Sequence, residues 1–186
     1  MGTYLETPRM LLRPFTLDDA RDLYIYASDP RVGPAAGWKP HESMAESRQI
    51  IRTVFAQPHV FAVVDKADGR VIGSAGFVGR KHGDGGNCDE IGYSFHPDWW
   101  GRGLATEAVE ELLRYGFVVR ALQTIWCGHY EENYRSRRVV EKSGFTFQFK
   151  ETVTDDIRSG RVTYLYKLER DEWERRAKHG QLYRTI

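Results

Sequence analysis

The stretch HPDWWGRGLATEA, residues 96–108, joins the end of one structural element to the start of another. The segment before it, DEIGYSF, alternates apolar and polar residues as a half-buried strand does, whereas apolar residues after it recur at helical spacing. Gly101 and Gly103 stand at the junction and leave its backbone nearly bare. Such a junction is either a cradle that binds an anion at the start of a helix or simply a tight connection.

The physical chemistry of a helix start favours the cradle. The first backbone N–H groups of a helix beginning near Leu104 have no partner inside the helix and carry the positive end of its dipole. A phosphate can approach them closely over Gly101 and Gly103, and Arg102 and Thr106 can donate further hydrogen bonds. The stretch lacks the Gly-Lys-Ser/Thr of a P-loop, and Thr106 stands at the third glycine position of a dinucleotide fingerprint. The pattern therefore predicts a phosphate-bearing ligand of another class.

Length and composition indicate an ordinary globular domain. The chain has 186 residues, of which 41% are hydrophobic and 28% charged, enough to bury a substantial core. With 27 Lys and Arg against 26 Asp and Glu, no global charge attracts nucleic acid or a membrane surface. Apolar runs are too short to cross a bilayer, and no secretory segment is recognisable. We therefore expect a cytoplasmic protein with reduced Cys88 and Cys127, and no nucleic-acid or membrane partner.

Hydrophobic periodicity and turn residues predict one mixed α/β domain with the element order β-α-α-β-β-β-α-β-α-β-β. We expect this domain to span residues 1–170 and a helical tail to occupy 171–186. The predicted strands cover 9–15, a hairpin over 59–79, then 88–96, 122–130, 145–153 and 159–169. The predicted helices cover 16–29, 44–56, 104–117 and 133–144, while 30–43, rich in Pro and Gly, is predicted as a loop.

The junction resembles the coenzyme A pyrophosphate loop of the GNAT acetyltransferases, whose pattern is Gln/Arg-x-x-Gly-x-Gly/Ala. Here it reads Trp100-Gly101-Arg102-Gly103-Leu104-Ala105, with Trp100 where the family has Gln or Arg. The stretch EENYRSRRVVEKSGF (131–145) is similar to the family's Asn-containing helix that ends in Gly-Phe. MLLRPFTLDDARDLY and FAVVDKADGRVIGSAGF complete four elements in the family's order, covering about residues 8–168.

The resemblance implies both a fold and an activity. A GNAT-like domain has a central, mostly antiparallel twisted sheet flanked by helices, with splayed central strands, here EIGYSF and TIWCGHY. The pantetheine of acetyl-CoA would lie between these strands and the pyrophosphate on the loop. The implied reaction is direct acetyl transfer to a primary amine, either a protein N-terminus or a small molecule. The alternatives are a catalytically silent acyl-CoA-binding sensor and a structural module in which the glycines only form a turn.

Cofactor-binding residues and a general acid follow from the same resemblance. The residues implied to bind acetyl-CoA are Phe95, His96, Gly101, Arg102, Gly103, Leu104, Ala105, Thr106, Asn133 and Arg137. Asn133, Ser136, Arg137 and Val140 are expected on one helical face. Many family members carry a Tyr at the Val140 position as general acid. The branch resembling ribosomal-protein N-terminal (alanine/serine) acetyltransferases has Ser at the Ser136 position, so Ser136, or water, is predicted to protonate the leaving thiolate.

The acceptor amine must lose a proton, and Glu90 at the start of its strand is the predicted base. The alternatives are that a water or Asp155 is the base, or that Glu90 is a surface residue with no direct role. Glu107 is expected instead to cap its helix or to bond a nearby loop. The acceptor pocket is predicted to include Trp38, Tyr93 and Tyr134.

Other residues carry no predicted chemistry. The six histidines show neither an i, i+4 pair nor cysteine spacing, so no metal is expected. Cys127 in the middle of a strand is predicted to be core. Near-neutral charge argues against a polyamine specialist, and either a monomer or a homodimer is compatible with the sequence.

Overall fold

Eight strands form one sheet in the order β1-β2-β3-β4-β5-β6-β8-β7. The computed structural model describes residues 2–82, 86–154 and 160–178. The strands are β1 (Leu5–Glu6), β2 (Met10–Arg13), β3 (Val60–Asp65), β4 (Val71–Phe77), β5 (Cys88–Phe95), β6 (Thr124–Tyr130), β7 (Thr146–Thr152) and β8 (Val162–Glu169). The helices are α1 (Ala20–Ala27), α2 (Gly33–Ala36), α3 (Met44–Arg52), α4 (Leu104–Arg114), α5 (Tyr134–Lys142) and α6 (Arg170–Lys178).

Helices cover both faces of the sheet. On one face, the apolar side of α4 buries Ala108, Leu112 and Leu113 against strand residues such as Phe61 and Ile91. On the other face, α1 and α3 pack on the outer side chains of β3 and β4. The predicted mixed α/β domain, with a mostly antiparallel sheet flanked by helices, is confirmed. Within the described ranges, no helix is long and apolar enough to span a membrane.

A parallel junction divides the sheet. Every other neighbouring pair is antiparallel, whereas β5 and β6 run parallel and are joined through α4. Their register covers four residue pairs, from Cys88↔Thr124 to Ile91↔Cys127, and ends there although both strands continue. The predicted splay is thus present, and it opens the sheet in front of α4.

The segment 30–43 differs from the loop predicted for it, because it contains the short helix α2. Pro34 occupies the first turn, where its missing N–H costs nothing, and Gly37 ends the helix with φ 91° in the left-handed region. The Pro and Gly that suggested a loop are therefore the start and stop signals of one helical turn. This turn places Val32, Ala35 and Ala36 against the open part of the sheet.

The C-terminal helix packs onto the domain. α6 follows β8 without a break, and its Trp173 ring lies 5.4 Å from that of Phe117. Arg176 Nη1 donates to the carbonyl of Gly144, the glycine that ends α5. The predicted tail is helical through Lys178, and residues 179–186 lie outside the described part of the chain.

Candidate active site

A cavity of about 660 Å³ opens where β5 and β6 part. Its wall combines the second half of β5, the end of β6, the start of α4, one side of α5 and the small side chains of α2. Of the residues predicted to bind cofactor, the wall includes Phe95, Gly101, Gly103, Leu104, Ala105, Thr106 and Asn133. The cavity therefore has the glycine loop at one end and the paired start of β5 at the other.

The glycine loop adopts a backbone that needs glycine twice. Gly101 has φ 75° and Gly103 has φ 78°, and Gly103 is the N-cap of α4. A Cβ built on Gly101 would meet nothing within 4 Å, so the space beside the loop is open. The first N–H groups of α4, at Leu104 to Thr106, have no partner within a regular helix, and these residues line the cavity.

Three side-chain hydrogen bonds hold this loop in place. Trp100 Nε1 donates to the carbonyl of Phe95 at 2.8 Å, which ties the loop to the end of β5. Arg9 Nη1 donates to the carbonyl of Arg102 at 2.9 Å, and Arg9 Nε donates to Glu107 at 2.7 Å. Glu107 thus bonds a neighbouring segment, as predicted. These contacts leave the open backbone N–H groups free for a ligand.

A row of cations on α5 faces the same end of the cavity. Arg135, Arg138 and Lys142, spaced three and four residues apart, line the wall, and the Arg135 guanidinium lies 4.2 Å from the centre of the Trp100 ring. Backbone N–H groups and cations together form a donor set suited to the phosphates of coenzyme A. The residues present therefore fit the cofactor that the resemblance implies.

Three residues predicted to bind cofactor lie elsewhere. Arg137 is turned to solvent and pairs with Glu141 at 2.8 Å, so it does not share the buried face of Val140 as predicted. His96 Nδ1 accepts from the Asp98 N–H and its ring packs on Trp99. The Arg102 guanidinium lies 5.8 Å from the Trp99 ring, beside a smaller pocket behind the loop. Within the described chain, none of the three belongs to the main cavity wall.

The backbone of β5 turns hydrogen-bonding groups toward the gap. The carbonyl of Glu90 accepts from the N–H of Val78, and the N–H of His96 donates to the carbonyl of Ile72. The backbone N–H and C=O groups of the even-numbered residues of β5 therefore face β4. Because alternate residues of a strand point to opposite neighbours, the N–H and C=O of Tyr93 face the side of β6. At Tyr93, β6 no longer pairs with β5, which leaves the N–H and C=O of Tyr93 available to an extended ligand.

The hydroxyl groups of Tyr93 and Ser136 meet across the gap, with Oη and Oγ 2.8 Å apart. Asn133 positions Ser136, because its side chain caps α5 by accepting from the Ser136 N–H at 3.1 Å and donates to the carbonyl of Ala35. Burial raises the pKa of Tyr93 well above its ordinary value, so the phenol stays protonated. Sequence reasoning placed Tyr93 in the pocket but missed its contact with Ser136.

The other two predicted pocket residues do not reach the cavity wall in the described structure. Tyr134 is 70% exposed on the outer side of α5. Trp38 is partly buried and packs against the core cluster that contains residues of α1 and α3, with its ring 5.2 Å from that of His41. Its neighbours in α2, rather than Trp38 itself, form the wall.

Glu90 lies at the opposite end of the cavity from the glycine loop and is 8% exposed. His82 Nε2 lies 2.7 Å from Glu90 Oε2, and Arg80 Nη1 lies 3.5 Å from the same oxygen. Both contacts use Oε2, and within the described residues no hydrogen bond to Oε1 is found, so Oε1 can take another partner. Sequence spacing gave no signal for His82, because it lies eight positions before Glu90 and the two meet only in the folded chain. The rival base Asp155 lies outside the described residues.

The remaining candidates have ordinary roles. Cys127 is buried in the middle of β6 and Cys88 is buried at the start of β5, both as free thiols. Burial raises the pKa of the Cys127 thiol, which makes it a poor nucleophile. Across residues 2–82, 86–154 and 160–178, no group of three His, Cys, Asp or Glu residues is arranged to hold a metal.

Comparisons with known proteins point to one family. The family model described as "Acetyltransferase (GNAT) domain" matches residues 9–146. The chain is 32% identical to the uncharacterized N-acetyltransferase p20 of Bacillus licheniformis over 148 residues, which is 76% of this chain and 81% of that protein.

Solved structures share the fold. A GNAT-family acetyltransferase from Bacillus anthracis superposes with a TM-score of 0.81 at 24% identity, covering 91% of this chain and 100% of that one. RimJ of Mycobacterium smegmatis, solved in complex with CoA-disulfide, has a TM-score of 0.74 at 22% identity, covering 97% and 94% of the two chains.

Proposed function

Because the chain belongs to the GNAT family of N-acetyltransferases, we propose that it transfers an acetyl group from acetyl-CoA directly to a primary amine, of a protein N-terminus or of a small molecule. One observation carries the proposal: a single cavity joins a phosphate-binding backbone turn at Gly101–Gly103 to a buried carboxylate at Glu90. Donor and acceptor can therefore meet in the gap between β5 and β6.

The glycine loop and α5 would hold the phosphates of the donor. The N–H groups of Leu104 to Thr106 would bind a phosphate in the open space beside Gly101, and Arg135 and Arg138 add positive charge on the wall. The Tyr93 carbonyl offers a strand-like hydrogen bond to the pantetheine. Bound acetyl-CoA supplies the activated thioester whose acetyl group is transferred.

In this proposal Glu90 takes the proton of the acceptor amine. An amine attacks only in its neutral form, whereas a lysine-like or α-amino group is largely protonated at neutral pH. The Glu90 carboxylate is oriented by His82 through Oε2, so Oε1 can accept a proton directly or through water. The proton lost by the amine thus passes to Glu90.

In this proposal Ser136 assists the leaving group. Either hydroxyl can be the donor in the contact between Tyr93 and Ser136. When the Ser136 Oγ–H donates to the departing sulfur, the Tyr93 hydroxyl would donate to Ser136 Oγ. Because burial raises the pKa of Tyr93, transfer of its proton is costly, and its role is to orient Ser136 and strengthen its donation. The Tyr93 N–H can donate to the carbonyl oxygen on which negative charge develops.

We expect Ser136→Ala to lower kcat by about 10- to 100-fold with nearly unchanged CoA affinity, because the lost donor acts on the leaving group. Tyr93→Phe keeps the ring and should lower kcat by about 10-fold. The double variant should be little worse than Ser136→Ala alone, because both hydroxyls act through one hydrogen bond. Steady-state kinetics checks this, with the exposed Tyr134→Phe on the same helix as control. If the kcat losses of the two single variants multiplied in the double variant, the linked role of Tyr93 would be contradicted.

The decisive experiment for the proposed function measures thiol release from acetyl-CoA with a panel of N-terminal peptides and small amines. We expect amine-dependent thiol release together with calorimetric binding of CoA. CoA binding with no thiol release for any amine would instead identify a silent acyl-CoA-binding sensor. Absence of CoA binding would mean that Gly101 and Gly103 only permit a turn.

A further inference from the structure

We propose that the preferred acceptor carries a carboxylate close to the amine that is acetylated, and that Arg80 binds this carboxylate while Glu90 binds the amine. The inference rests on the proposed function and narrows its acceptor. The common chemistry is a primary amine with a neighbouring carboxylate, found in a free amino acid or in a peptide whose first residue is acidic.

Arg80 is set apart from the other cations of the cavity. The described wall contains four, and three of them lie on α5. The fourth, Arg80, lies beside Glu90, and from Glu90 to Phe95 the strand rises about 16 Å at about 3.3 Å per residue. Arg80 is therefore too far from the glycine loop to serve the same phosphates, and its charge faces the acceptor end.

The contact between Arg80 and Glu90 leaves most of the guanidinium available. Its Nη1 lies 3.5 Å from Glu90 Oε2, whereas His82 holds that oxygen at 2.7 Å, so Arg80 is not needed to orient Glu90. Arg80 is 43% exposed on its side chain, and guanidinium has five N–H donors arranged to match a carboxylate. A carboxylate can therefore bind without displacing the base.

Adjacent opposite charges suit a molecule that presents the complementary pair. An ammonium beside Glu90 and a carboxylate beside Arg80 would each meet an opposite charge, whereas the second cation of a polyamine would be repelled by Arg80.

The test compares acceptors that differ only in the carboxylate. Thiol release is measured for alanine against ethylamine, for a peptide beginning with Glu against one beginning with Gln, and for a polyamine. We expect kcat/KM to be at least about 10-fold higher for the carboxylate-bearing member of a pair, and Arg80→Gln to reduce that preference by about 10- to 100-fold. The amino-acid and peptide pairs identify the source of the carboxylate. Lys81→Gln, an exposed neighbour, is the control.

Two results would overturn the proposal. No preference for either carboxylate would do so. So would an equal loss for both members of a pair in Arg80→Gln, since Arg80 would then act on Glu90 alone. If no amine supports thiol release, the proposed function has failed. Calorimetry of alanine and of the Glu peptide, with CoA present, then decides the role of Arg80: weaker binding to Arg80→Gln supports it and equal binding overturns it.

Discussion

Replacing Gly103 with valine is expected to lower CoA affinity by about 100-fold or more while the protein stays folded. Gly103 has φ 78°, a conformation that a β-branched residue adopts only with strain, so the backbone before α4 must shift. The shift moves the N–H groups of Leu104 to Thr106, and each charge-assisted hydrogen bond to a phosphate contributes about 1.5–3 kcal/mol. Calorimetric titration with CoA measures the loss.

Gly69→Val is the matched control. Gly69 also has a left-handed backbone, with φ 73°, and a Cβ there would meet nothing within 4 Å, but it lies in the turn between β3 and β4. It should show a similar loss of thermal stability and normal CoA binding. If Gly103→Val retained wild-type affinity, the glycine loop would not be the phosphate site.

Glu90→Gln should lower kcat by about 100-fold or more and leave CoA affinity nearly intact. Glutamine preserves the shape of the side chain but cannot take a proton, and general-base catalysis typically contributes about 10²- to 10⁴-fold. Pre-steady-state and steady-state rates provide the measurement, with calorimetry for CoA affinity.

Glu141→Gln serves as the control for Glu90→Gln, because Glu141 is a surface carboxylate of α5 paired with Arg137. It should leave kcat unchanged. Unaltered turnover in Glu90→Gln would remove Glu90 from the role of base and return attention to water or Asp155.

The parts of the site that depend on local backbone chemistry could be predicted from the sequence. Gly101 and Gly103 predict a turn that side chains would obstruct, and Asn133 is a residue type that favours the start of a helix. The separation of β5 from β6 could be predicted only from the resemblance to a family. The alternation of apolar and polar residues in β5 does not indicate that its pairing with β6 stops after Ile91.

The parts that depend on rotation and tertiary contact could not be predicted. Val139 and Val140 are adjacent, so hydrophobic periodicity permits two rotations of α5. The helix buries Val140 completely and turns Arg138, rather than Arg137, to the cavity. The contact of His82 with Glu90 likewise depends on the tertiary fold, because the two residues are eight positions apart and no short-range spacing indicates it.

The parallel junction has a consequence for the lifetime of the protein. It separates β1–β5 from the group of β6, β8 and β7, and only four residue pairs join the two groups in the sheet. Sub-global opening is therefore expected to begin at this boundary, with backbone amides on either side exchanging with solvent as one unit. A molecule lodged between β5 and β6 bridges both groups and suppresses that opening by mass action. Supply of the acetyl donor would thus set resistance to proteolysis as well as the rate of reaction.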